Sequence, residues 1–185
     1  MARNYANAAP TQFQRLPEYA RDDAWIRAFL RRAEIGHLGQ TRDEQPFVTP
    51  TNFWFDEARR VIYFHSNLAG RLRDNLENAP RVCLEVSEMG RFLPSNVALE
   101  FSTQYRSVMV FGRVEIVRAQ EEKRRALDGL LTKYFPQLEA SVDYRPITEQ
   151  ELARTSVYAL MIDSWSGKEN WPEQAVQSAE WKPLA

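Results

Sequence analysis

Residues 46–80, PFVTPTNFWFDEARRVIYFHSNLAGRLRDNLENAP, decide the fold. Phe47 to Phe55 is a run of β-branched and aromatic residues. Thr49, Thr51 and Phe53 share one face of it, and Val48, Pro50, Asn52 and Trp54 the other. Asp56 to Arg60 supplies a polar turn, and Val61-Ile62-Tyr63-Phe64-His65 reads as the return strand. Ser66 or Asn67 is the expected cap of a helix over 69–78, which Pro80 ends. Leu68, Leu72 and Leu76 recur at helical spacing and commit one face of that helix to a core.

The strand–helix junction carries the chemistry. A helix start presents free backbone N–H groups and the positive end of the helix dipole. Gly70 lets a ligand approach the backbone, and Arg71 and Arg73 add positive charge beside it. That combination suits a phosphate monoester. The competing reading is an ordinary capped helix with solvated arginines.

Upstream, residues 1–18 are polar, contain Pro10 and Pro17, and read as an N-terminal arm. Asp22 and Asp23 precede an amphipathic helix whose apolar face is Trp25, Ile26, Phe29 and Leu30. Ile35 to Gln40 is a first strand, with His37 read as a structural histidine. Downstream, strands are expected over 81–87, 105–117 and 157–163, and helices over 120–134 and 147–154. Gly112 in mid-strand points to a bulge or a close backbone approach. Residues 88–104 read as a long connection, and the 171–185 tail, with Trp171 and Trp181, is expected to pack on a dimer partner. The domain proper is placed at 19–170.

A chain of 185 residues with 44% hydrophobic content supports one domain with a substantial core. Its net charge of −1 argues against a nucleic-acid or anionic-membrane partner. One cysteine, Cys83, excludes an internal disulfide framework. No apolar stretch has transmembrane length and no signal segment opens the chain, so a cytoplasmic protein is expected. There is no dinucleotide fingerprint, no phosphate-binding P-loop, no nucleophile elbow and no metal-ligand spacing. Some six strands joined mostly by short connections, with helices at the edges, indicate a mainly β (α+β) antiparallel barrel, closed or split.

PFVTPTNFWFDEARRVIYFHSNLAGRLRDNLENAPRVCLEV, then TQYRSVMVFGRVEIV and a terminal VYALMIDSWSGK, resembles the pyridoxamine-phosphate-oxidase-like proteins. These are the FMN-binding split barrels, and the chain looks most like the branch of nitroimidazole-resistance reductases. The resemblance implies a six-stranded antiparallel split β-barrel with peripheral helices, FMN as cofactor and a homodimer with two shared sites. It implies that Val48, Thr49, Pro50 and Thr51 edge the flavin ring, and that Phe64, His65 and Ser66 continue that wall. Gly70 and Arg71 match the phosphate positions. Leu72 stands where many relatives have lysine, and Arg73 is a candidate substitute. Tyr105, Arg106 and Ser107, with Trp165 and Lys168, match the stretches that close the site from the partner subunit.

Under this resemblance His65 lies beside the flavin as a hydrogen-bonding group or proton donor. The expected activity is an FMN-dependent oxidoreductase, reduced by an external donor and passing electrons to a small nitro compound or quinone. Two alternatives stand beside it. One is a haem-binding or haem-degrading split barrel with His37 or His65 as ligand; the other is a non-catalytic flavin carrier. A deazaflavin in place of FMN also stays open.

Overall fold

The computed structural model describes residues 7–14 and 16–184. Part of the expected N-terminal arm, residues 1–6 and 15, lies outside the described residues. The first elements are β1 (Ala20–Arg21), α1 (Asp23–Arg32), β2 (Gly36–Arg42), β3 (Gln45–Thr51), β4 (Trp54–Asp56) and β5 (Val61–Asn67). Then come α2 (Arg71–Asn78), β6 (Arg81–Leu93), β7 (Ser102–Ile116), α3 (Gln120–Tyr134), α4 (Glu149–Ala153) and β8 (Thr155–Asn170). All strand pairs are antiparallel, in the order β3-β2-β6-β7-β8-β5-β4, with β1 added to β8.

The 47–55 run is two strands rather than one. β3 pairs with β2 and β4 pairs with β5, so Asn52 and Phe53 carry the chain from one end of the sheet to the other. The last turn of α3 holds this break. Phe53 N–H donates to Tyr134 Oη at 3.0 Å, and Lys133 Nζ donates to the Phe53 carbonyl at 2.9 Å. Tyr134 Oη in turn donates to the Glu34 carbonyl at 2.6 Å. β3 and β4 do not pair with each other, so the barrel is split. This division, together with the short β1, makes eight strands of the expected six.

Two further boundaries differ from the sequence reading. Residues 88–104 are mostly strand: β6 and β7 form a long hairpin, with a register shift between Met89 and Phe92. Gln104 Oε1 accepts from Arg91 N–H there, filling the irregularity whose mixed residues look like loop. β8 runs on to Asn170, past a register shift opposite Phe111 and Gly112. A Cβ at Gly112 would lie 2.1 Å from the Met161 carbonyl oxygen, which is the close approach expected of a mid-strand glycine.

Alternation separates two faces. Ile62, Phe64, Leu84, Val86, Val108, Val110, Tyr158 and Leu160 fill the interior, which α1 closes with Ile26, Phe29 and Leu30. On the outside, Val61, Tyr63, Val157 and Ala159 are covered by Ala126 of α3 and by Val117 just before that helix. The tail packs on its own chain: Ser95 Oγ donates to the Val176 carbonyl at 2.6 Å, and the Asn96 side chain bonds Ser178 N–H and the carbonyls of Ser178 and Lys182.

Candidate functional site

The mouth of the split lies between the edge of β3 and the end of β5, and α2 reaches across it. At its base Arg73 donates to Ser156 Oγ of β8 at 2.8 Å and to Glu77 at 2.5 Å. On the other side Asn75 Nδ2 donates to Gln40 Oε1 of β2 at 3.1 Å. The helix starts later than the sequence suggests. Its N-cap is Gly70, at φ 139°, and neither Ser66 nor Asn67 caps it. Among the described residues no side chain caps this start, which leaves its first-turn N–H groups to an external acceptor. A Cβ at Gly70 would meet nothing within 4 Å, so the approach is open too.

Arg71 is the cation beside this start. Its side chain is 66% exposed, Asp74 is 4.0 Å away, and its guanidinium lies 5.7 Å from the Phe47 ring centroid on β3. Arg73, the candidate for a second phosphate cation, is held by Ser156 and Glu77 through Nη1 and Nε. Leu72 packs on the core, and Leu68 is half-exposed outside the helix.

The ring-edge candidates divide by face. Thr49 pairs with the buried Leu38 and faces inward, as does Thr51, whereas Val48 and Pro50 face outward beside Gly39 and His37. Phe64 lies in the interior, stacked on Tyr158 at 5.0 Å, so only its backbone can contribute to a wall. Ser66 Oγ bonds Tyr158 Oη at 2.9 Å on that inner side. The partner-facing set divides too. Tyr105, Ser107 and Lys168 share the outer face. Arg106 and Trp165 point inward: Arg106 bonds Glu169 and Glu88, and Trp165 Nε1 donates to Asp23 at 2.8 Å. Glu169 is held below the usual carboxylate range, because bonds from Arg106 and Arg21 outweigh the opposing effect of its burial.

His65 follows Val61 and Tyr63 on the outer face, away from the interior. It opens into a cavity of about 480 Å³ between α3 and the 135–147 segment, with Leu127, Leu130, Leu131, Tyr134 and Arg145 in its walls. The ring is reachable by solvent, yet the apolar surroundings lower its pKa by burial, which favours neutral imidazole. Arg145 Nη2 donates to Glu151 at 2.7 Å, and this bond with those from Thr148 pulls the Glu151 carboxyl down to about 2. His37 pairs instead with Glu85 through Nδ1 at 3.0 Å. Among the described residues no cluster of histidine, cysteine and acidic residues could hold a metal ion, and no helix is long and apolar enough to cross a membrane.

Sequence reading missed Gln40, Asn75 and Phe47. One signal was present: Asn75 interrupts the core-facing stripe of Leu72 and Leu76 with a polar residue.

The model of the pyridoxamine 5'-phosphate oxidase family matches residues 22–169. Three solved structures share the architecture. The flavocytochrome Anf3 from Azotobacter vinelandii is 29% identical, with 94% of this chain and 78% of that chain covered and a TM-score of 0.78. A candidate 5-nitroimidazole antibiotic resistance protein from Bacteroides thetaiotaomicron is 26% identical, with coverages of 80% and 84% and a TM-score of 0.67. The FAD and heme binding protein from Mycobacterium smegmatis is 26% identical, with coverages of 83% and 75% and a TM-score of 0.71. No curated protein matches the chain. With the match spanning the split barrel from α1 to the end of β8, the chain belongs to the pyridoxamine 5'-phosphate oxidase family of flavin-binding split barrels.

Proposed function

We propose that the protein is an FMN-dependent oxidoreductase acting as a homodimer. The observation that carries this reading is the uncapped helix start at Gly70, with Arg71 exposed beside the β3 edge. Those groups fit a phosphate monoester by charge and by donor count. Bound there, flavin would supply two-electron transfer between an external donor and a small nitro compound or quinone. Thr49 and Thr51 would edge the ring, and the Arg71 guanidinium would hold the phosphate. Homodimerisation is supported by the bare outer face, where Val48 is 68% exposed and Met89 63%. Tyr105, Ser107 and Lys168 on that face would close the partner's site.

His65 is the candidate proton donor, from its apolar cavity. In holoprotein, His65→Gln is expected to slow reoxidation of reduced flavin by a nitroaromatic about 10²-fold. The wild-type rate should show an apparent midpoint below the ~6.5 of free histidine, which the variant lacks. Unchanged rates with full flavin occupancy would favour the carrier reading.

A second reading has haem in the same cavity. Two of the similar structures are a flavocytochrome and a protein that binds FAD and heme. The residues here fit such a group: His65 offers neutral imidazole, and leucines and aromatics offer an apolar wall. The absorption spectrum of freshly purified protein separates the readings. Paired flavin bands alone support the oxidoreductase; an added Soret band, lost in His65→Gln, would assign haem to the cavity.

A further inference from the structure

A buried hydrogen-bond chain runs from α2 to the edge of β3. Asn75 Nδ2 donates to Gln40 Oε1 at 3.1 Å, and Gln40 Nε2 donates to Thr49 Oγ1 at 2.6 Å. Asn75 is fully buried and Gln40 is 3% exposed. The Leu38 carbonyl, 3.5 Å from Gln40 Nε2, favours this direction of the chain. A Gln40 amide turned the other way would put oxygen against oxygen there. Thr49 Oγ1 therefore accepts from inside the protein. Its own hydrogen has no acceptor among the described residues, and Thr49 is only partly buried.

Stability alone does not account for this arrangement. Asn75 occupies the core-facing stripe of α2, where leucine would pack. Its carboxamide oxygen has no partner among the described residues, a loss typically of about 1–3 kcal/mol. Asn75 also lies one helical turn beyond Arg71, so the helix that presents the phosphate-binding groups also sets the Thr49 hydroxyl.

We propose that Gln40 and Asn75 are positioning residues that hold the Thr49 hydroxyl as a hydrogen-bond donor to the acceptor edge of a bound flavin ring. This rests on the flavin reading of the split mouth. Each donor in the chain polarises the next. The acceptor atoms of the ring become more negative when it takes up electrons, so a donor fixed there favours the reduced over the oxidised form.

The test measures the midpoint potential of bound FMN in wild-type, Thr49→Val, Thr49→Ser and Gln40→Leu holoproteins, with FMN affinity of Arg71→Ala alongside. Thr49→Val keeps the branched side chain of the strand and removes the hydroxyl, both the proposed donor and the acceptor of the Gln40 Nε2 bond. It is expected to cut the preference for reduced flavin about tenfold, which is about 30 mV for a two-electron couple. Thr49→Ser should restore most of the loss. Gln40→Leu should shift the potential the same way by less, since the hydroxyl is then free to turn inward. A shift in Thr49→Val without one in Gln40→Leu would overturn the positioning role. An unchanged potential in Thr49→Val, with Arg71→Ala still weakening FMN, would overturn this inference and leave the flavin reading standing. No effect of either Thr49→Val or Arg71→Ala would overturn both.

Discussion

The outer surface of the barrel has two unlike halves. Over β5 and the first part of β8, the outward residues Val61, Tyr63, Val157 and Ala159 are buried beneath α3. There Arg125 bonds Asp56 and Tyr63 Oη, and Tyr63 Oη donates to Glu122 at 2.7 Å. Over β3, β2, β6 and β7, no helix lies above the outward residues among the described residues. Val48 and Met89 are exposed, Cys83 is half-buried, and His37 pairs with Glu85. The strands of both halves alternate alike, so alternation alone does not tell a core face from a surface face. The difference is whether the chain supplies its own cover. Where it does, substitutions should act on folding; where it does not, they should act on assembly and ligand binding.

The largest effect is expected on the covered side. Tyr63→Ala removes a buried ring and leaves Arg125 and Glu122 without its hydroxyl, so a loss of about 3–5 kcal/mol is predicted by denaturant titration. A loss below about 1 kcal/mol would break the contrast. Next is the seam of α3. A Cβ at Gly129 would lie 2.3 Å from the Trp54 ring, so Gly129→Val should cost about 1–3 kcal/mol by overpacking.

The third prediction concerns the clasp between these halves at Asn52 and Phe53. Burial lowers the pKa of Lys133 to about 8, against ~10.4 in an unfolded chain. Between those values the unfolded state holds a proton that the folded state has released. Stability contributed by this group is therefore lowest below pH 8 and rises as pH increases through the window. Denaturation of wild type and Lys133→Met across pH 7–10.5 should show that upward slope only in wild type. Smallest is the bare side: Val48→Ser should change monomer stability within about 0.5 kcal/mol. Sedimentation at micromolar concentration should nonetheless show weaker self-association. A variant as tightly associated as wild type would remove Val48 from the interface.

Much of the architecture was legible because β-branched runs, Pro80 and Gly112 act locally. The break at Asn52 and Phe53 was not legible, since its cause is Lys133 and Tyr134, some 80 positions along the chain. The β6–β7 hairpin was obscured because Gly90 and mixed polar residues occupy a register shift that Gln104 completes from the partner strand. At the site, Gly70 and Arg71 were readable as a pair in sequence. The inward turn of Arg106 and Trp165 was not, because strand parity depends on pairing register. Thr49 was named for the ring edge, but the buried donors behind it come from β2 and α2 and have no common motif.

Whether the helix start at Gly70 takes a flavin phosphate is tested most directly by one comparison. FMN and riboflavin, which differ by that phosphate, are titrated into apoprotein of wild type and Arg71→Ala. Losing a charge-assisted contact of about 1.5–3 kcal/mol should weaken FMN by about one to two orders of magnitude and leave riboflavin nearly unchanged. Equal weakening of both ligands, or no change in either, would contradict it.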